Sequence, residues 1–268
     1  MATSDIRTGR VESLMGRFYG PTPVKIGALI VALVLWEIVG QLLPPVLFAP
    51  FSAVAASYIE LAQGPMFELG IQTLREMLMG FGLAVAFAVP VGLIMGRSHL
   101  ADKMINPWVQ AFFATATSAL LPLLIILFGI DLTFRIAIVW LACVWHILIN
   151  IYHGARSVDR DYIDVGRTFD ISTTKFYRSI VFPAIMPFTV AGLRMGLTRS
   201  IRGIILAEFY IATGYGGLLR QYANQSADLA PVLALALTIM VFGYVLRIGL
   251  EKVQVWLFPW SDVDAAMG

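Results

Sequence analysis

Residues 76–96 read EMLMGFGLAVAFAVPVGLIMG, an apolar stretch whose single charge, Glu76, stands at its first position. A helix needs about 20 apolar residues to cross the hydrocarbon core of a bilayer, so this stretch predicts a membrane span. Small residues recur in it at every fourth position: Gly80, Ala84, Ala88, Gly92 and Gly96. Because small side chains let helix backbones approach closely, we expect this stripe to pack against another helix. The alternative is the ordinary enrichment of glycine in membrane helices.

The rest of the chain has the same character. Of its 268 residues, 59% are apolar and 13% are charged, and the mean hydropathy is +0.80. A soluble protein of this length needs a more charged surface. Five further apolar stretches cover residues 25–43, 105–128, 134–153, 184–208 and 231–250. The sequence therefore predicts an all-α integral membrane protein with six transmembrane helices. Cys143 is the single cysteine, which excludes a disulfide within the chain.

The positive charges predict an orientation. With the N-terminus in the cytoplasm, thirteen lysines and arginines fall on the inner side of the six spans. Only Arg75, Arg135 and Arg220 fall on the outer side. Because positively charged loops stay in the cytoplasm, both termini and the segment 154–182 are expected there.

Segment 154–182 combines charges with aromatic and branched side chains, and it has no linker-like composition. The pattern breaks around Ser172 to Lys175, which favours two short helices joined by a turn. Such a pair on the cytoplasmic face is a suitable docking surface for another protein. The alternative is a solvated loop of mixed charge.

Within this segment, residues 161–172 read DYIDVGRTFDIS, and Phe182-Pro183-Ala184 follows. These residues resemble the EAA motif of ABC-importer permeases, in particular those of the nitrate/sulfonate/taurine-type family. LPLLIILFGI at 121–130, GARSVD at 154–159 and AGLRMGL at 191–197 also resemble family segments in the same order. Asp164 stands at the acidic position of the motif, Val165 and Gly166 at its two small positions, and Asp170 replaces its glycine. Since asparagine and aspartate tolerate positive φ better than most residues, we expect the turn at Asp170 to form.

The resemblance implies a type I ABC-importer permease with a cytoplasmic coupling helix. Asp164, Val165, Gly166, Phe169, Asp170 and Pro183 are then expected to couple it to an ATPase. The implied regions are a cytoplasmic segment 1–24, a first helix and periplasmic loop 25–69, a core 70–258 and a tail 259–268. The implied location is the bacterial inner membrane.

The resemblance also implies partners: two ABC ATPase subunits, a second permease copy, a periplasmic solute-binding protein and membrane lipid, but no nucleic acid. The sequence lacks the Gly-x-x-x-x-Gly-Lys-Ser/Thr motif. ATP and Mg are therefore expected on the partner, and this chain is expected to carry no cofactor, metal or catalytic residue. The implied cargo is a small solute, with anions such as nitrate, sulfonate, taurine or carboxylate favoured.

The fifth predicted span carries Arg194, Arg199, Arg202 and, near its outer end, Glu208. Arg194 matches the family pattern, whereas Arg199 and Arg202 do not. An arginine at the bilayer centre costs about 3 kcal/mol. Arg199 and Arg202 either line a substrate path that attracts an anion, or pair with Glu37, Glu208 or a neighbouring subunit. Under the first alternative, Arg194 and Glu208 are expected to belong to the path as well. Thr115, Thr117 and Ser118 in the third span offer further polar groups within the membrane, but such hydroxyls more often satisfy backbone carbonyls, which is the role expected for them.

Two other classes of protein have some support in the sequence. Residues 213–217 read TGYGG and superficially resemble a potassium-channel filter, which suggests an ion channel or a secondary transporter with a glycine-rich outer pore loop. The gap after the fifth span is too short for a pore helix. His146 and His153 share a helical face, which suggests a metal enzyme, but that helix has no acidic residue at ligand spacing.

Overall fold

The computed structural model describes residues 21–157, 182–225 and 228–257, with side chains from residue 24 to residue 252. In these ranges the secondary structure is helical, which confirms the all-α class. The helices are α1 (Pro21–Leu42), α2 (Phe51–Gln63), α3 (Met66–Arg97), α4 (His99–Ala114), a 3₁₀ turn (Thr117–Leu120), α5 (Leu121–Phe128), α6 (Leu132–Ser157), α7 (Phe182–Ile211), α8 (Gly214–Gln225) and α9 (Ala230–Leu257).

The chain divides into two compact units: residues up to Gly64 with Tyr222–Ala236, and Pro65–Gln221 with residues from Leu237 onward. In the first unit, Glu37 of α1 ties that helix to α2. Its carboxylate accepts hydrogen bonds from the Ser52 backbone N–H at 3.0 Å and the Ser52 hydroxyl at 2.8 Å. Gly40 lets the chain turn closely, because a Cβ atom there would collide with the backbone of Pro50. A carboxylate on α1 therefore caps the first turn of α2.

In the second unit, α3 packs along α6 through its stripe of small residues. A Cβ atom at Gly80 would stand 2.7 Å from Cβ of Val139, and one at Gly92 would stand 3.0 Å from Cγ2 of Ile151. The predicted packing stripe is therefore confirmed. Since residue numbers increase together along the contact, α3 and α6 run parallel.

Helix α7 packs against α6 in the opposite direction. A Cβ atom at Gly154 would lie 2.6 Å from Cβ of Phe188, and one at Gly203 would lie 2.9 Å from Cβ of Ala142. Gly196 makes a similarly close approach between these two points. Helix α6 is thus held between α3 and α7 at backbone-to-backbone range.

These directions fix where the connections lie. We call the end where α6 stops and α7 begins the loop end, and the opposite end the Glu208 end. The described ends of α6 and α7 show that residues 158–181 start and finish at the loop end. Helix α3 also stops there, since a Cβ atom at Gly96 would approach Ala155. Because α6 starts at the Glu208 end, the chain between Arg97 and Leu132 crosses the unit once.

The count of straight spans differs from the prediction. Within the described ranges, four helices are long and apolar enough to cross a membrane: α1, α3, α6 and α9. The predicted third span, 105–128, is instead a pair of helical pieces bent by 92° between Ala114 and Thr117. The break itself is the extended backbone at Thr115 and Ala116, which ends α4 before the 3₁₀ turn begins. Pro122 lies in the first turn of α5, where its missing N–H has no cost. The predicted fifth span is the 30-residue helix α7, in which Arg194, Arg199 and Arg202 interrupt the apolar stretch.

We expect Gly80→Leu to reduce the amount of folded protein in the membrane severalfold, because a larger side chain collides with Val139 on α6. Gly82→Leu is the matched control on the same helix, since a Cβ atom at Gly82 meets nothing within 4 Å. Fluorescence-detected size exclusion of the two variants measures this difference. Equal yields would show that close α3–α6 packing is dispensable.

Candidate functional site

Two arginines lie on an exposed face of α7. Met195, Arg199 and Arg202 follow at spacings of four and three residues, and all three are exposed. The adjacent face of α7 packs on α6, where a Cβ atom at Gly203 would lie 2.9 Å from Cβ of Ala142. Arg194 is half-buried and lies about 140° around the helix from Arg199. The structure therefore groups Arg199 with Arg202 and separates Arg194 from them.

Helix α6 adds polar groups beside this surface. The Asn150 amide donates to the sulfur of Met195 at 3.6 Å and to the carbonyl of His146 at 2.8 Å. Arg199 lies within electrostatic range of His146. We call these five residues, Met195, Arg199, Arg202, His146 and Asn150, the arginine face.

The break in the third span lies next to the arginine face. The ring of Phe113, two residues before the break, lies 4.9 Å from the ring of His146. Thr115 and Ala116 have extended backbone angles and are exposed. The Thr115 hydroxyl donates to the carbonyl of Ala111 at 2.8 Å, which confirms the role expected for it. Non-helical backbone at membrane depth is stable only where protein covers it or water reaches it.

The arginine face cannot lie against lipid hydrocarbon without a large cost. At about 2.5–3.5 kcal/mol for each central arginine, the pair would cost about 5–7 kcal/mol. Within the described part of the chain, neither Arg199 nor Arg202 forms an ion pair. Water, a solute or another subunit must therefore meet this face.

Glu208, grouped with the arginines by the sequence prediction, lies elsewhere. Its side chain is 0% exposed at the Glu208 end. It accepts a hydrogen bond of 2.7 Å from the hydroxyl of Thr73 on α3 and one of 2.9 Å from the backbone N–H of Gly216 on α8. Glu208 therefore joins three helices, and its assignment to the substrate path stays a prediction. Glu37, the other carboxylate considered as a partner for the arginines, is bound to Ser52.

The glycines that follow α7 pack closely against the buried side chain of Glu208. Ala212 and Gly214 have φ values of 58° and 61°, which reverse the chain so that α8 folds back over the end of α7. A Cβ atom at Gly214 would collide with the carboxylate of Glu208. Gly216 has equally little room, because a Cβ atom there would meet the carbonyl oxygen of Ile205 at 2.6 Å. The segment that superficially resembles a channel filter is thus the start of a helix capped by Glu208.

A second buried link holds the same end together. The Arg135 guanidinium of α6 forms a two-bond ion pair with the Glu76 carboxylate of α3, one of them at 2.8 Å. Gln72 donates to the same carboxylate at 3.0 Å. The exposed fractions of the Arg135 and Glu76 side chains are 12% and 7%. Thr73 and Glu76 on one turn of α3 therefore connect it to both α7 and α6.

Most of the predicted coupling residues lie outside the described residues: Asp164, Val165, Gly166, Phe169 and Asp170. Pro183 is described, and it occupies the first turn of α7, where its missing N–H has no cost. At the other side of the segment, Arg156 forms an ion pair of 3.4 Å with Asp102 of α4. Both ends of the predicted coupling segment are therefore anchored at the loop end.

Sequence reasoning assigned no role to four of these residues: Thr73, Glu76, Arg135 and Asn150. The opposite charges near the starts of two predicted spans were a usable signal for Glu76 and Arg135. Asn150 follows His146 by four residues, so helical spacing could have placed it on the same face. Thr73 lies 135 residues from Glu208 and has no comparable signal.

Comparison with known proteins agrees with this architecture. Residues 88–254 match the family described as "Binding-protein-dependent transport system inner membrane component". The chain is 32% identical to a probable ABC transporter permease protein of Brucella abortus (strain 2308), over 71% of this chain and 76% of that protein. It is 28% identical to the taurine transport system permease protein TauC of Escherichia coli (strain K12), over 88% and 89% of the two chains.

A nitrate import permease protein, NrtB of Synechocystis, is 27% identical over 87% of this chain and 89% of that protein. Among solved structures, a chain of the inward-facing MetNI methionine ABC transporter matches with a TM-score of 0.59. Its sequence identity is 14%, and the match covers 71% of this chain and 97% of that chain, so it shows a shared fold. The chain therefore belongs to the family of inner membrane components of binding-protein-dependent transport systems, the multi-pass permease subunits of ABC importers.

Proposed function

We propose that this permease moves a small anion along the arginine face, between two permease copies. The observation that carries the proposal is the position of Arg199 and Arg202 on an exposed face of a membrane helix. Guanidinium groups suit carboxylate, sulfonate and nitrate because they bind planar or multi-oxygen anions through several N–H groups. The taurine and nitrate permeases among its relatives agree with this class of cargo.

The break in the third span supports the same path. Its extended residues, Thr115 and Ala116, lie close to His146 on the arginine face. A water-filled path satisfies these exposed backbone groups and hydrates the two guanidinium groups at the same time. A single water-filled route therefore accounts for both of the polar features that a lipid-facing surface would not tolerate.

The rest of the assembly is part of the proposal. Two ATPase subunits bind at the loop end, where segment 158–181 joins α6 to α7. That end faces the cytoplasm, because the positive charges accumulate there and the termini are expected on the same side. A solute-binding protein delivers the anion at the Glu208 end. This chain carries the path, and its partner hydrolyses ATP.

The test is ligand-stimulated ATPase activity and uptake by the complex in nanodiscs and in proteoliposomes. Candidate anions are nitrate, taurine, bicarbonate and a carboxylate, each compared with a neutral analogue. We expect one anion class to stimulate ATP hydrolysis. If no ATPase subunit co-purifies with the permease, the importer assembly proposed here is wrong.

For the path itself, we expect Arg199→Ala with Arg202→Ala to lower anion uptake by at least tenfold. A hydrogen bond to a charged group contributes about 1.5–3 kcal/mol, and each 1.4 kcal/mol corresponds to a factor of ten. Arg247→Ala is the control, since Arg247 is an exposed arginine on α9 that pairs with Glu251. Unchanged uptake in the double variant would make the two arginines structural and leave the importer assignment intact.

A further inference from the structure

A cavity of about 180 Å³ lies in the second unit, separate from the arginine face. Helices α3, α7, α8 and α9 form its walls near the Glu208 end. The lining residues are mainly apolar, including Phe67, Gly70, Ile71, Ile201, Ile205 and Phe242. None of the described lining residues is charged. The transport path proposed above does not use this space.

The cavity is suited to hydrocarbon and unsuited to water or to the transported anion. Its polar side chains are the hydroxyls of Thr73, Tyr215 and Thr238. The Thr73 hydroxyl is already engaged, because it donates to Glu208 and accepts from the Tyr215 backbone N–H at 3.3 Å. A buried water needs two to four polar partners, and apolar cavities without them stay dry. A dry, empty cavity is costly because the atoms around it lose their packing contacts.

The mouth of the cavity opens on the apolar surface of a membrane helix. Phe67 and Ile71 line the cavity and are 54% and 52% exposed. Leu78 continues the same exposed stripe along α3, seven residues after Ile71. Phe67 and Ile71 precede the predicted span at residues 76–96, and Leu78 lies within it, so the stripe leads from the mouth of the cavity at the edge of the membrane into the hydrocarbon.

We infer that this cavity binds the acyl chain of a membrane lipid. An apolar cavity of about 150 Å³ holds a benzene-sized hydrocarbon, so about 180 Å³ accommodates a segment of roughly six carbons. The bound chain fills the space between α3, α7 and α9 and contacts Thr73 and Tyr215 at the Glu208 end. The site therefore takes a lipid as a structural ligand, independently of the solute that the permease carries.

The test uses the full complex in nanodiscs made with a phospholipid that carries a photoreactive diazirine in its acyl chain. Mass spectrometry then maps the labelled residues. We expect labelling at Ile201 and Ile205 to exceed labelling at the lipid-facing residue Leu83 by at least threefold. Gly70→Leu should remove this excess, because its side chain enters the cavity and a Cβ atom there is still 3.9 Å from Tyr215.

Gly82→Leu is the matched control on the same helix and should keep the excess labelling, since a Cβ atom there meets nothing within 4 Å. Ile71→Trp is a second cavity-filling variant in case Gly70→Leu assembles poorly, and it should also remove the excess. Labelling of the cavity at or below the level of Leu83 would overturn the inference. Excess labelling that persists in the filled variants, or cross-links from cavity residues to a second permease copy, would overturn it as well.

Discussion

Replacing Glu208 by alanine is expected to loosen the first turn of α8 and to lower solute uptake by at least tenfold. The carboxylate accepts hydrogen bonds from Thr73 and Gly216, and both donors are buried. A buried donor left without a partner costs about 1–3 kcal/mol, so the two together cost about 2–6 kcal/mol. Most of the lost stability should concern the chain reversal after α7, because Gly214 and Gly216 pack directly against the Glu208 side chain.

Hydrogen–deuterium exchange is the most direct measurement, combined with uptake by the same preparation. In Glu208→Ala, amides 214–221 should exchange faster while those in the middle of α6 stay protected. Glu208→Gln should be intermediate because an amide keeps one acceptor oxygen. Thr198→Ala is the control on the same helix, since that exposed hydroxyl bonds to the carbonyl of Arg194 within α7 itself. Loss of uptake with unchanged exchange would instead support a direct role of Glu208 in the substrate path.

The second large effect is expected from the Glu76–Arg135 pair. Arg135→Leu leaves the Glu76 carboxylate buried without its cation, and breaking a buried ion pair in this way costs about 3–5 kcal/mol. The double variant Glu76→Leu with Arg135→Leu should recover most of this loss, because it removes both buried charges. Chemical denaturation of the detergent-solubilised permease, analysed as a double-mutant cycle, measures the coupling.

The chain offers a matched surface pair for comparison. Arg247 and Glu251 on α9 form an ion pair of 3.1 Å, with exposed fractions of 59% and 32%. Arg247→Leu should change stability by at most about 1 kcal/mol, as exposed pairs generally do. Additive effects of the two substitutions at Glu76 and Arg135 would show that the buried contact does not stabilise the second unit.

The helices and their close packing were predictable because both depend on local patterns. Gly80 and Gly92 belong to a stripe of small residues whose four-residue spacing predicts a helix contact, and the structure places both against α6. The break at Thr115–Ala116 was not predicted, because residues 105–128 are apolar enough on average for one span, although residues 115–118 read TATS. Pro122 was a usable signal for the start of α5, but a proline near the start of a new helix and one inside a helix look alike in sequence.

The contacts at the Glu208 end were beyond sequence reasoning. Glu76 and Arg135 are 59 residues apart, and Thr73 and Glu208 are 135 apart. Helical spacing predicts proximity only within one helix, so it gives no indication that residues this far apart in sequence are in contact. For Glu208, the sequence offered a charge in a membrane helix, which has two ordinary uses: contact with a solute or a buried hydrogen-bond acceptor. The structure reveals the second use and leaves the first as a prediction.

The close contacts of α6 with α3 and α7 have a mechanical consequence. Helices whose backbones touch at glycines along their length cannot slide past one another without collision, so the three behave as a stiff beam. Helix α6 has 26 residues and is about 39 Å long. A tilt of about 5° imposed at the loop end would displace the far end by about 3 Å, roughly the diameter of a water molecule. Under the proposed function, a small push where residues 158–181 attach would be converted into an opening on the opposite side of the membrane.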